Sequence, residues 1–222
     1  TLWKFGSEEQ KNRVLPRFCT GEVTGAMDLT ESEAGSDLQA VQTKATLDER
    51  NNAWYLNGVK RFITNGCADI HLVLARSEEG TADGRGLSMF LYERDSSMKI
   101  RRIEDKLGIH GSPTTELQYT NAKCEMVGKR RFGLIKYVMS LMNGARIGVS
   151  LQALGVAQAA YNKALKYAQE RKQFGKAIIE FAPVYDMLAN NKMDIEAART
   201  LLYRTNKMID ELDLFERILD EK

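Results

Sequence analysis

The densest group of chemically useful side chains is MDLTESEAGSD, Met27 to Asp37. Thr30, Ser32, Ser36, Gly35 and two carboxylates crowd into a few residues, between an apolar, strand-like run and a polar, turn-rich run. Gly35 permits close backbone approach to a ligand. The hydroxyls around it can donate to, or accept from, a polar heterocycle or a phosphate. The same residues also suit a plain capping or Asx-turn loop after a strand. Two further stretches bear on the choice: KRFITNG, Lys60 to Gly66, and YAQERKQFGKAI, Tyr167 to Ile178.

Composition narrows the field before these motifs are interpreted. The chain has 222 residues, 43% hydrophobic and 28% charged, with a formal charge of +2. That is ordinary globular composition, enough for one or two domains. The near-neutral charge gives no bulk attraction to nucleic acid or to an anionic membrane. No apolar run approaches the roughly 20 residues needed to span a bilayer. No signal-peptide pattern opens the chain. Cys19, Cys67 and Cys124 are odd in number and widely spaced, which fits a reducing compartment and neither a zinc site nor a disulfide framework. Two histidines, His71 and His110, argue against a His-rich metal centre.

The elements that position the motifs follow from periodicity. In residues 1–20, Ser7 with Gln10 forms a capping box, and Pro16 is expected to break or kink the helix. This stretch is expected to be the end of a helical domain that is mostly missing. Over residues 21–130 the period is two, in short runs rich in β-branched and aromatic residues. Asn57-Gly58 is the strongest hairpin signal, Asp48 to Asn52 is a second turn, and Glu78 to Gly86 is a flexible loop. Such spacing predicts an antiparallel sandwich or barrel.

Residues 131–222 switch to helical period. Leu134, Val138, Leu141, Met142, Ala145 and Val149 open a helix of roughly 35 residues, against an average of about 11. Phe174-Gly175 is expected to stop it. After Pro183 a second amphipathic helix carries Met187, Leu188, Ile195, Ala198, Leu202 and Ile209 on one side. Two helices expose too much apolar surface to be a finished bundle, which needs four. The predicted class is therefore α+β: an antiparallel β-barrel or sandwich, then two long antiparallel helices of an incomplete four-helix bundle.

Taken together, the three motifs resemble the acyl-CoA dehydrogenase family of flavoproteins over nearly the whole chain. NGARIGVSLQALGVAQAAY, beginning at Asn143, looks most like a bacterial branch that includes 3-methylmercaptopropionyl-CoA dehydrogenases. The resemblance implies FAD as cofactor and α,β-dehydrogenation of an acyl-CoA substrate. It also implies electrons passed to an electron-transfer flavoprotein. By that resemblance Leu29 and Thr30 meet the pyrimidine side of the flavin, and Ser36 lies near the pyrophosphate and the CoA arm. Phe62 stands where the family usually has Trp, and Thr64 lies by the nitrogen that accepts hydride. Arg171 pairs with the pyrophosphate of a neighbouring subunit's FAD, while Gln173 and Phe174 contact its adenosine end. Arg146 matches the family's Arg beside the active site and contributes to substrate binding. Ser112, Thr114 and Glu116, in KLGIHGSPTTEL, match a segment near substrate and flavin, or form a structural turn.

Two departures stand out. Ser32 replaces the family's usual Pro after the Thr-Glu pair, and Ala145 stands where some members carry the catalytic Glu. No catalytic base is therefore assigned here; a Glu beyond Lys222 is expected to serve. Removing a weakly acidic α-proton requires such a carboxylate, desolvated and raised in pKa. The resemblance further implies a homodimer or homotetramer, no nucleic-acid partner and no membrane span. It places the protein in the bacterial cytoplasm, or in the mitochondrial matrix of a eukaryote. The competing readings are an AidB-like flavoprotein associated with DNA alkylation damage, and a non-enzymatic interaction module.

Overall fold

The computed structural model describes residues 1–220, with the side chains at 213, 216, 217 and 220 outside that description. The chain divides into two compact units, Thr1–Leu141 and Met142–Lys222.

The first unit opens with two helices, α1 (Leu2–Phe5) and α2 (Glu8–Cys19). Ser7 caps α2 as its type dictates: its hydroxyl accepts from the Gln10 N–H while the Gln10 side chain accepts from the Ser7 N–H. Pro16 does not stop the helix, which runs on to Cys19. Side chains of α2 reach the sheet through Gln10 to Met126 O, Arg13 to Glu93 and Glu125, and Arg17 to Glu93.

Seven strands follow: β1 (Gly25–Asp28), β2 (Lys44–Asp48), β3 (Ala53–Thr64), β4 (Ile70–Arg76), β5 (Leu87–Glu93), β6 (Met98–Ile103) and β7 (Thr114–Val127). Five of them close a ring in the order β4-β5-β7-β3-β2, and a single Lys44–Arg76 bridge returns β2 to β4. The long β7 pairs with β3 on one edge and shares its other edge between β6 and β5. The pairing is mostly antiparallel, as alternation predicted. The exceptions are β1 on β4, in parallel register from Gly25–Ile70 to Asp28–Val73, and the parallel β2–β4 bridge. The core inside the ring includes Trp54, Leu56, Phe90, Tyr92, Leu117 and Tyr119. Trp54 and Phe90 meet with ring centroids 5.2 Å apart.

Of the two turn signals, Asp48 to Asn52 holds and Asn57-Gly58 does not. The β2–β3 turn is made by Glu49 to Asn52, with Asn52 at φ 46°. Asn57-Gly58 lies inside β3 at a register shift against β7. Gly58 is needed there for two reasons. Its φ is 154°, and a Cβ would stand 2.8 Å from the Thr43 Cα. The Glu78 to Gly86 loop is pinned by Arg76, whose guanidinium donates to Thr81 O, Asp83 O and Gln39 O.

A π-helical turn at Gly133–Val138 leads into α3 (Met139–Glu170). In the second unit α3 runs antiparallel to α4 (Ala182–Asp220), with Arg199 donating to Gln158 and Lys192 lying over the Tyr161 ring. Leu154, Ala168, Leu188 and Ile195 are buried between them, while Met187 is 59% exposed. The helix does not end at Phe174-Gly175. It ends at Glu170, and Lys172–Gln173 (β8) pairs with Lys176–Ala177 (β9). Phe174 and Gly175 are the two-residue turn of that hairpin, at φ 50° and 81°. Positive φ at both central residues matches the twist of the strands, the reason a glycine stands there.

Candidate functional site

Within the first unit a cleft of about 500 Å³ opens beside the start of the barrel. Its floor and sides are apolar: Leu2, Phe18, Ala26, Ile70, Leu72 and Leu91. Its distinctive side chains come from two places in the chain. Leu29 and Thr30 follow β1, and Phe62, Thr64 and Asn65 come from the end of β3. The cleft thus offers an aromatic face, aliphatic walls and a few hydroxyl and amide groups. That is the usual chemistry of a pocket for a flat, partly polar ligand.

Phe62 reaches the cleft through a bulge. Lys60 pairs with Leu117 and Ile63 with Thr115, so β3 has one residue more than β7 over this span. Phe62 takes φ 57°, uncommon for a bulky side chain, and its ring is 53% exposed. Such conformations cost about 1–3 kcal/mol and persist where the surroundings enforce them. The Arg61 guanidinium carbon lies 4.9 Å from the centre of the Phe62 ring.

The opposing turn is fixed by hydrogen bonds that periodicity does not reveal. Glu31 and Ala34 exchange backbone bonds of 2.9 and 3.2 Å, closing a tight turn around Ser32-Glu33. The buried Glu31 carboxylate accepts from the N–H groups of Gln42 and Thr43 and from Lys60 Nζ, at 2.7, 2.9 and 2.9 Å. Burial acts to raise the Glu31 pKa. The Lys60 ammonium and the Thr43 and Gln42 donors outweigh it, leaving Glu31 below the ordinary carboxylate value. Lys60 is itself fully buried, and that burial lowers its pKa while Glu31 opposes the change.

A second buried cluster lies at the end of β1. Asp28 accepts from the Tyr119 hydroxyl and faces His71 Nδ1 at 2.9 Å, and His71 Nε2 faces Ala68 O at 3.0 Å. Burial is the main cause holding the Tyr119 hydroxyl well above its ordinary pKa, with the Asp28 carboxylate adding to it.

The residues singled out from sequence are spread over several places. Leu29, Thr30, Phe62 and Thr64 line the one cleft. Ser36 is exposed on the loop after the Glu31 turn, outside the cleft lining. Gly35 has open space around its would-be Cβ. In the second unit Arg171, Gln173 and Phe174 sit together on the β8–β9 hairpin, all exposed, with Phe174 at 87%. Arg146 lines a groove between α3 and α4 and donates to Asn143 at 2.9 Å. Of the KLGIHGSPTTEL residues, Thr114 pairs with Thr64, and Glu116 forms ion pairs with Arg101 and Arg61. The Glu31–Lys60 pair and the Asp28–His71–Tyr119 cluster escaped sequence reading. Among the described residues no group of His, Cys, Asp and Glu could hold a metal ion, and no helix is long and apolar enough to cross a membrane.

A small closed barrel with an aromatic-faced cleft, followed by a long helical hairpin, defines an α+β protein. Comparison with known proteins specifies the family. Residues 26–122 match the acyl-CoA dehydrogenase middle domain, and residues 135–218 match the acyl-CoA dehydrogenase C-terminal domain. The short-chain-specific acyl-CoA dehydrogenase of Megasphaera elsdenii is 40% identical over 208 residues, which is 91% of this chain and 54% of that protein. The solved butyryl-CoA dehydrogenase of the same organism superposes with a TM-score of 0.86 at 40% identity, covering 91% of this chain and 54% of that one. A structure described as the electron transferring flavoprotein of Acidaminococcus fermentans gives a TM-score of 0.87 at 39% identity, over 95% and 56%. The chain belongs to the acyl-CoA dehydrogenase family. It spans about half the length of the curated relatives it matches.

Proposed function

We propose that this chain is the middle and helical part of an FAD-dependent acyl-CoA dehydrogenase. The reaction takes a short-chain acyl-CoA to the 2-enoyl-CoA, with electrons passed on to an electron-transfer flavoprotein. The observation that carries this reading is the convergence of Leu29, Thr30, Phe62 and Thr64 on one cleft from segments 32 residues apart in sequence, counting from Thr30 to Phe62. The residues present suit a flavin. Phe62 offers an exposed aromatic face, and Thr30 and Thr64 offer hydroxyls to the polar edge of a ring system. The short-chain preference comes from the relatives in Megasphaera elsdenii and Clostridium acetobutylicum, both named short-chain specific.

In this reading FAD supplies the hydride acceptor. The chain's own part is to bind and orient. Thr30 and Thr64 donate at the edge of the ring where electron density grows, Phe62 covers it, and Ser36 meets the pyrophosphate and the CoA arm. Arg171, Gln173 and Phe174 serve a neighbouring subunit's FAD, the planar Arg fork matching a pyrophosphate. Arg146 positions the substrate. The catalytic Glu is placed outside these 222 residues, because Ala145 holds the alternative position. Residues 1–20 close a helical N-terminal domain, residues 21–130 form the middle domain, and 131–222 begin the C-terminal bundle.

The exposed apolar side chains of the second unit support assembly with further helices and with a second subunit. Val149, Val156, Leu201, Tyr203 and Met208 are each more than half exposed. The test compares the 222-residue piece with the whole protein that carries it. The whole protein is expected to retain FAD through gel filtration and to scatter light as a dimer or tetramer. The piece is expected to bind FAD poorly. A whole protein that is monomeric and colourless would overturn the proposal.

A further inference from the structure

We infer that Lys60 is a positioning residue for the cofactor cleft, coupling its two walls through one buried ammonium. This rests on the reading of the cleft as a flavin site. One wall is Leu29-Thr30, the other Phe62 and Thr64. Lys60 belongs to β3, two residues before Phe62. Its Nζ donates to Leu29 O at 3.0 Å and to Glu31 Oε1 at 2.9 Å. The next residue repeats the link with its backbone, Arg61 N–H donating to Thr30 O at 2.8 Å. Residues 29, 30 and 31 are thus each tied to β3 at Lys60 and Arg61, just ahead of Phe62.

The chemistry is specific to a charge. A fully buried lysine carries a desolvation cost that an aliphatic side chain of similar length avoids. Its three donors let it satisfy a carbonyl and a carboxylate together, which no apolar residue can do. Glu31 is in turn held by two backbone N–H groups from the Gln42-Thr43 segment, so it cannot swing to follow a displaced partner. The pair therefore sets the position of the Leu29-Thr30 wall relative to Phe62, and with it the geometry offered to the ring.

The experiment uses the whole protein and three variants: Lys60→Met, Glu31→Gln and the double variant. Lys60→Met strands a buried carboxylate, so it tests folding more than positioning. The double variant replaces both charges with neutral side chains of similar shape. The double variant is expected to unfold cooperatively, bind FAD at least tenfold more weakly, about 1.4 kcal/mol, and show a shifted flavin absorption band. Glu31→Gln, which keeps an oxygen for Lys60, is expected to fall between it and wild type. Amide hydrogen exchange at residues 29–31 should quicken at least tenfold in the double variant, with the β4–β5 pairing unchanged. Wild-type FAD affinity and wild-type exchange at 29–31 in Glu31→Gln and the double variant would overturn the proposal. Should wild type hold no flavin, the functional reading falls, and exchange at 29–31 still decides the coupling by itself.

Discussion

His71 Nδ1 stands 2.9 Å from an Asp28 carboxylate oxygen, with both side chains wholly enclosed by the barrel. The Tyr119 hydroxyl shares that oxygen, and Tyr92 packs edge-on against the Tyr119 ring at 5.3 Å. Asp28 ends β1 and immediately precedes Leu29, so this cluster anchors the strand that delivers the cleft wall. Replacing His71 by Leu leaves a buried carboxylate short of a partner. Leaving a buried acceptor without its partner costs about 1–3 kcal/mol. The measurement is the urea midpoint of the variant against wild type. A loss below about 1 kcal/mol, the scale of an exposed pair, would contradict the buried arrangement.

Gly58 provides a second stability test, independent of charge. Any side chain there takes a disfavoured φ and meets the Thr43 backbone. Gly58→Ala is expected to destabilise by about 1–3 kcal/mol, whereas Gly35→Ala, in open space, should change little. Equal thermal shifts for the two variants would count against the close approach of Gly58 to Thr43.

The Glu31 pKa gives a pH dependence with a definite sign. Its folded-state value is depressed, so its contribution to stability is present above the unfolded carboxylate value, about 4.3. The contribution is lost as pH falls through the lower folded value. Wild type should therefore lose stability on acidification below about pH 4. Glu31→Gln should be less stable near neutrality and show a shallower acid decline. Parallel stability curves for the two proteins would rule out Glu31 as a contributor.

For the proposed cofactor contacts, Thr64→Val would remove one hydrogen bond and is expected to weaken stabilisation of reduced flavin by about 0.5–1.5 kcal/mol. Arg171→Ala would remove the proposed charge-assisted pair and should weaken FAD binding by roughly twice that amount. The readouts are the flavin midpoint potential and the FAD dissociation constant of the whole protein. A larger binding loss from Thr64→Val than from Arg171→Ala would reverse the assigned roles.

Much of the architecture was legible because it rests on local rules. The change of period near Phe132 separates strands from helices, and the Ser7–Gln10 capping box marks the start of α2. Two local readings failed where tertiary context intervened. Asn57-Gly58 has hairpin chemistry, yet it lies inside β3, where the close Thr43 backbone requires Gly58. Phe174-Gly175 has the composition of a helix stop, yet both residues turn a short hairpin. Pro16 lies in a helix whose ion pairs to Glu93 and Glu125 hold it to the sheet. The polar core was illegible for a different reason. Lys60 and Glu31 are 29 residues apart, and His71 and Asp28 are 43 apart. A sequence presents each as an ordinary surface charge until the barrel closes over them.

The proposed flavin cleft implies an acyl-CoA dehydrogenase that takes butyryl-CoA as substrate. The most direct measurement adds butyryl-CoA to the FAD-loaded whole protein under anaerobic conditions and follows the flavin absorbance together with the CoA products. The account predicts loss of the oxidised-flavin band in step with formation of the 2-enoyl thioester. An undiminished flavin band with butyryl-CoA bound and unchanged would contradict it.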